Sequence, residues 1–165
     1  LGYRDMQNDD VKNLIKTYVQ ASLKQDIPCN LIFEIVESED IQDYSSVKEF
    51  FNDFKCAELK IAIDDFGSGY SNFTYLHELN PDYLKIDGSL IKDIHTNEKS
   101  HIIVKTIVSF AQELGIKTIA EYIYNKEVYK EVVDLKIDGH QGYFLGEPKS
   151  SITKEIESRK FPLSV

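Results

Sequence analysis

Asp64 and Asp65 stand side by side at the end of an apolar run, Leu59-Lys-Ile-Ala-Ile-Asp-Asp-Phe-Gly-Ser-Gly-Tyr70, with Gly67 and Gly69 close behind. The isoleucine-rich run reads as a buried strand, and the two glycines permit a tight turn at its tip. Two neighbouring carboxylates repel each other, so the pair calls for a divalent cation, a basic side chain, or protonation of one acid. Taken alone, Asp-Asp-x-Gly reads as a solvated strand end. Four other apolar runs in this chain also carry polar groups near their ends: Glu34 and Glu37 after Leu31, Lys85 and Asp87 after Tyr83, Glu121 after Lys117, and Gln141 after Gly139. Acids, a lysine and an amide that meet at one place form a metal site, and that is the reading favoured here.

The elements that must position these groups follow from periodicity. Val11, Leu14, Ile15, Tyr18, Val19 and Leu23 fall at helical spacing over 9–25, with Asn8 or Asp9 as cap. Strand 31–36 follows, then a helix capped by Ser45 with Val47, Phe50, Phe51 and Phe54 as its apolar stripe. After the Asp-Asp strand, a short helix over 71–79 stops at Asn80-Pro81. In strand 83–87, alternation puts Tyr83, Lys85 and Asp87 on one face. A helix over 99–114, with Ile103, Ile107, Phe110 and Leu114 in register, ends at Gly115. Strand 117–123, a helix over 126–135 and a last strand 139–145 complete the alternation, and 151–165 reads as a short helix and a frayed end. Alternating helix and strand predicts an α/β protein with a parallel sheet. A doubly wound open sheet and a (β/α)8 barrel both gather ligands at the carboxyl ends of the strands. No helix opens on a glycine-rich dinucleotide loop, so the open sheet offers no site of its own. A barrel takes roughly 250 residues, and a chain of 165 with about five strands makes it an incomplete one.

Composition narrows the partners. With 42% apolar residues the chain can bury a core, and its formal charge of −9 excludes a sequence-independent DNA or RNA binder, whose affinity rests on lysine and arginine. Cys29 and Cys56 have neither metal-ligand spacing nor a nearby Cys or His, and read as reduced thiols of a cytoplasmic protein. No apolar run is long enough to span a bilayer. His77, His95, His101 and His140 show no ligand spacing and read as surface or helix-end residues.

In order and spacing, Phe33-Glu-Ile-Val-Glu-Ser38, Asp64-Asp-Phe-Gly-Ser-Gly-Tyr70, Leu84-Lys-Ile-Asp87, Ala120-Glu121 and Gln141-Gly-Tyr143 resemble the EAL-domain family of cyclic di-GMP phosphodiesterases. The resemblance covers 1–148 of a partial EAL domain spanning 1–165, with 149–165 as C-terminal helix and tail. It implies a TIM-like (β/α) barrel, hydrolysis of cyclic di-GMP to linear pGpG, and dependence on Mg2+ or Mn2+ at a two-metal site. It further implies that Glu34, Asp64 and Asp65 are metal ligands, and that Lys85 contacts the attacking water and the phosphate. Glu121 would be a ligand or general base. Glu37 would brace the loop after Asp65, while Asp87 and Gln141 support the site or the substrate. A strand lysine paired with Asp87 is the plainer reading of Lys85.

The chain also departs from the family pattern. It lacks the Glu-Ala-Leu strand, and it opens at Leu1-Gly2, where an Asn-x-Ser ligand strand would end. The usual Ala-Glu-Gly-Val-Glu run is Ala120-Glu-Tyr-Ile-Tyr124, so Tyr124 takes the place of the second Glu. Val36 replaces a Thr. From these departures we expect an incomplete barrel lacking its N-terminal strands, little or no hydrolysis by this chain alone, and a homo-oligomer that covers the open edges. The alternative function is a degenerate EAL domain that binds cyclic di-GMP or mediates dimerisation.

Overall fold

The computed structural model describes residues 3–23, 32–36, 44–52, 59–68 and 74–149. Cys29, Glu37, Phe54, Cys56, Gly69, Tyr70, the first turn expected of the 71–79 helix and the tail 151–165 lie outside the described residues. The elements run α1 (Tyr3–Met6), α2 (Asp9–Leu23), β1 (Ile32–Val36), α3 (Tyr44–Asn52), β2 (Lys60–Phe66), α4 (Thr74–Leu79) and β3 (Tyr83–Ile86). They continue as α5 (Gly88–Ile91), α6 (Glu98–Glu113), β4 (Lys117–Ala120), α7 (Lys126–Asp134) and β5 (Gly139–His140).

All four strand pairings are parallel, and the order in the sheet is β1-β2-β3-β4-β5. A doubly wound sheet reverses its strand order at a switch point, whereas this order never reverses, as in a barrel wall. Among the described residues the sheet does not close, and β1 and β5 are its edges. This is the incomplete (β/α) barrel expected from the sequence.

Register divides the sheet into two faces with different chemistry. Ile35, Ile63, Leu84 and Thr118 form one row, with Ile86 and Ala120 alongside, and all six are 0–1% exposed. Helices cover this face and supply Val47, Phe50, Phe51, Val104, Val108, Ala111, Val128 and Val132 to two buried clusters. Each fully buried Ile or Leu contributes about 1.5–3 kcal/mol relative to exposure. The opposite face carries Glu34, Ala62, Asp64, Tyr83, Lys85 and Ile119, so period-2 alternation alone delivers the charged residues to the side away from the helices.

Caps and tethers set the ends of these elements. Asn97 and Asn125 accept hydrogen bonds from the first-turn amides of α6 and α7. Gly115, at φ 71°, takes the left-handed position that ends α6. Asp138 Oδ2 accepts from Thr118 N at 2.8 Å and from Thr118 Oγ1 at 3.2 Å, which ties the entry of β5 to β4. Asp82 Oδ2 accepts from Ile61 N at 2.9 Å, a similar tie between β3 and β2.

Several expectations need correction. The buried residues of α6 are Ser100, Val104, Val108 and Ala111, while Ile103 and Leu114 are 45% and 52% exposed. The helix is apolar over more than one stripe, and contact with the sheet and α5 selects among them. The last strand is only two residues long and Gln141 lies beyond it, because the chain turns at 142–145. Asp87 leaves β3 and caps α5, a short helix absent from the periodicity reading. His140 is not a surface residue: it sits on the helix-facing side of β5, with its ring 5.5 Å from Tyr129, and burial lowers its pKa. His95 also has a buried ring nitrogen without a partner.

Candidate active site

The centre of the polar face is Lys85. Its Nζ lies 2.7 Å from Asp64 Oδ1, 2.9 Å from Glu121 Oε1 and 3.1 Å from Glu34 Oε1. One ammonium thus joins carboxylates from β1, β2 and the residue after β4. The side chain of Lys85 is 6% exposed, against 20% for Asp64, 19% for Glu121 and 49% for Glu34. Burial penalises the ammonium, but its hydrogen bonds to Asp64, Glu121 and Glu34 outweigh that cost and raise the pKa above the ordinary lysine value. The plainer reading, a strand lysine paired with Asp87, is not what the fold forms.

Simple alternation would send Asp64 and Asp65 to opposite faces. The register of β2 against β3 shows why it does not: Ile63 pairs with Leu84 and Phe66 with Ile86, so two residues, Asp64 and Asp65, stand opposite the single Lys85. This is a β-bulge, and Asp65 occupies the left-handed region at φ 57°. Aspartate tolerates that conformation better than most residues, at a cost of about 1–3 kcal/mol. The bulge turns the second carboxylate towards the first while Ile63 and Phe66 both stay in the core.

As a result Asp64, Asp65 and Glu121 each present an oxygen within 4.8 Å of the others. Burial, then the charges of Asp64 and Asp87, pushes the Asp65 carboxyl above the usual range, against the pull of Lys85. Glu121 is raised as well, chiefly by burial, with Asp64 and Asp65 adding and Lys85 opposing. Burial leads both shifts and neighbouring acids add to them: Glu34, Asp64 and Glu121 contact a single lysine, with Asp65 and Asp87 beside them, so the cluster carries excess negative charge. Hard carboxylate oxygens in such excess suit a hard divalent cation, and the donor set fits the Mg2+ or Mn2+ expected from the sequence.

Asp87 faces this cluster from the end of β3. Its Oδ1 accepts from Ser89 N at 2.9 Å and also from Ser89 Oγ, and its carboxylate lies within hydrogen-bonding reach of Asp65. Gln141 adjoins it across a cavity of about 770 Å³ that Asp87, Ser89, Glu121, Tyr122, Tyr124 and Gln141 help to line. Gln141 holds the strand tips through its backbone: its N–H donates to Ala120 O at 2.9 Å, and its carbonyl accepts from Ile123 N at 3.1 Å. The next residue, Gly142, passes so close that an added Cβ would lie 2.1 Å from Ile123 O. The structure therefore brings together Glu34, Asp64, Asp65, Lys85, Asp87 and Glu121, sets Gln141 at the adjoining cavity, and does not describe Glu37. Reasoning from sequence missed Tyr122 and Ser89 as cavity residues. The replacement of Gly and Glu by tyrosines after Glu121 was the available sign for Tyr122, and Ser89 had none.

A ring of carboxylates and a lysine at the carboxyl ends of parallel strands, in a sheet wound as a barrel wall, defines a protein of the (β/α)-barrel class with its ligand site in the usual place. The particular family is shown by comparison: the chain belongs to the EAL domain family, whose profile matches residues 5–148. The cyclic di-GMP phosphodiesterase PdeA of Borreliella burgdorferi is 39% identical over 128 residues, 77% of this chain and 19% of that protein. The EAL domain of Mycobacterium smegmatis DcpA has the same fold, with a TM-score of 0.79 over 90% of this chain and 66% of that one at 24% identity. Klebsiella pneumoniae BlrP1, in a complex with manganese and cyclic di-GMP, is 28% identical with a TM-score of 0.72, covering 86% of this chain and 36% of that one. The chain spans under a fifth of the length of the curated relatives it first matches. Among the described residues no helix is long and apolar enough to cross a membrane.

Proposed function

We propose that this chain carries the catalytic face of a cyclic di-GMP phosphodiesterase, which adds water across one phosphodiester bond to give linear pGpG. The observation that carries this reading is the convergence of Lys85 on Asp64, Glu121 and Glu34, beside the oxygen cluster of Asp64, Asp65 and Glu121. Asp64, Asp65 and Glu121, with Glu34 adjoining, would hold Mg2+ or Mn2+. When bound, the cations neutralise phosphoryl oxygens and lower the pKa of water. Lys85 keeps its charge throughout: one of its three N–H donors would turn from Glu34, the most exposed of its three acids, to a phosphoryl oxygen, where it stabilises the negative charge that develops during displacement. Where it does not itself ligate, Glu121, whose carboxyl is raised by burial, would accept the proton of the attacking water, and the departing 3′ oxygen would take a proton from solvent. Asp87, fixed by Ser89, steadies Asp65, and the Gln141 amide lines the cavity that receives the rest of the dinucleotide.

The expected partners are cyclic di-GMP and a second copy of the chain, with no DNA or RNA. A cytoplasmic location agrees with the unpaired spacing of Cys29 and Cys56. A second reading, a degenerate domain that binds without turnover, is favoured by one feature: Tyr124 stands where the family has its second Glu, and its hydroxyl donates to Lys92 O at 3.1 Å. Chromatographic assay of pGpG formation by the whole protein with MnCl2 separates the two. Metal-dependent product that falls roughly a hundredfold in Lys85→Ala supports the enzyme. Binding of cyclic di-GMP with no product supports the degenerate domain.

A further inference from the structure

One wall of the cavity has no part in the chemistry above. Tyr122 and Tyr124 line it, and their side chains are 61% and 46% exposed. Their ring centroids lie 5.8 Å apart with the planes inclined by 58°. Tyr122 is held at φ 58°, a left-handed conformation that a bulky residue rarely adopts and that glycine enters without strain. The apolar core does not account for it, since Tyr122 belongs to neither buried cluster. The root of the side chain packs on Gly88. A Cβ at Gly88 would come within 2.8 Å of Tyr122 Cβ and 3.3 Å of Cγ, so the bare backbone at Gly88 makes the room the ring occupies. On its other flank is Tyr124, tethered by its hydroxyl to Lys92 O. An exposed aromatic ring on a strained backbone therefore stands one residue from Glu121.

We infer that Tyr122 and Tyr124 form a stacking wall for a nucleobase of the phosphodiester substrate, holding the base while Lys85 and the acid cluster hold the phosphate. This rests on the hydrolase reading above. Stacking suits a heterocycle of any sequence because every base presents a π face. The same cavity carries the Asp87 carboxylate, the Ser89 hydroxyl and the Gln141 amide, which match a base edge rich in N–H donors such as that of guanine. Charge sets the orientation. Asp87, which lines the cavity beside the tyrosines, disfavours a phosphate at their wall, while the neutral base is free to lie there.

The test is calorimetric titration of the whole protein with cyclic di-GMP and, as a probe without a base, ribose 5-phosphate, both with calcium present, alongside thermal melting. Tyr122→Gly is expected to bind cyclic di-GMP roughly tenfold or more weakly, to bind ribose 5-phosphate as before, and to melt no lower than the wild type because glycine accepts the backbone angle. Tyr122→Phe should keep the wild-type affinity. Unchanged cyclic di-GMP affinity in Tyr122→Gly overturns the inference and leaves the hydrolase reading standing. An equal loss for both probes, or a lowered melting temperature, marks the ring as structural and also overturns it. A whole wild-type protein that binds no cyclic di-GMP sinks both readings together.

Discussion

Replacing Lys85 by methionine keeps the length of the side chain and removes its charge, and the structure sets the scale of the result. A pair of unit charges about 4 Å apart is worth about 4 kcal/mol at an effective dielectric of 20. The contacts at 2.7, 2.9 and 3.1 Å are closer still and represent gross attraction on the order of 17 kcal/mol. Most of that is offset by desolvation of the ammonium, which costs several kcal/mol, and by the mutual repulsion of the acids it gathers. Breaking one partner from a buried cluster costs about 3–5 kcal/mol. The lower figure applies here, because Glu34 is half exposed and the acids can take up protons once the lysine is gone. A loss of about 3 kcal/mol lowers the Tm of a domain this size by roughly 6–12 °C. Thermal melts at pH 7 in EDTA read this directly. Added Mn2+ should then narrow the gap between variant and wild type by at least half, since a cation bound among the same carboxylates replaces the missing positive charge and stabilises the folded form by mass action. A variant that melts within 2 °C of the wild type in EDTA would refute the claim that Lys85 is the internal counter-charge of the site. A gap of the same size with and without Mn2+ would refute the claim that cation and lysine answer the same carboxylates.

The raised pKa of Glu121 gives a sign that can be checked. A carboxyl that binds its proton more tightly when folded costs stability as pH rises from its ordinary value of 4.5 through the raised one; Glu121→Gln should therefore melt above the wild type at pH 7 in EDTA, with the difference gone at pH 4, and a lower melting point at pH 7 would count against the charge excess. Asp65→Gly should relieve the left-handed strain and raise Tm in EDTA, while reducing the stabilisation by Mn2+ in the same melts. Gly142→Ala should cost more than about 3 kcal/mol, because the new methyl meets the Ile123 backbone and not a side chain that can move; denaturant unfolding measures it, and a loss below about 1 kcal/mol would mean that the loop has room to shift. The 165-residue chain by itself is expected to hydrolyse cyclic di-GMP far more slowly than the whole protein, and to be a dimer or larger by light scattering.

The identities of the site residues were legible in the chain because the chemistry is written in residue types at strand ends: Glu34, Asp64, Asp65, Lys85 and Glu121 each follow or interrupt an apolar run. Alternation then placed Lys85 on the face opposite Leu84 and Ile86, and strict helix and strand succession restricted the fold to parallel-sheet architectures. Periodicity stops where several choices satisfy it equally. Helix α6 offers more than one apolar stripe, and only its docking on the sheet buries Val104 and Val108 while leaving Ile103 in solvent. Nothing local marks β5 as two residues long, since its end is decided by the close passage of Gly142 over Ile123. The bulge at Asp64 and Asp65 exists because β3 fixes the register on either side of it, and the left-handed angle of Tyr122 arises against Gly88, 34 positions earlier in the chain. The sequence by itself thus determined which groups are available and which face of each strand carries them. Only the tertiary structure decided that acids from β1, β2 and the residue after β4 share one lysine, because partner choice between charges depends on distances that the sheet register sets and no spacing along the chain encodes.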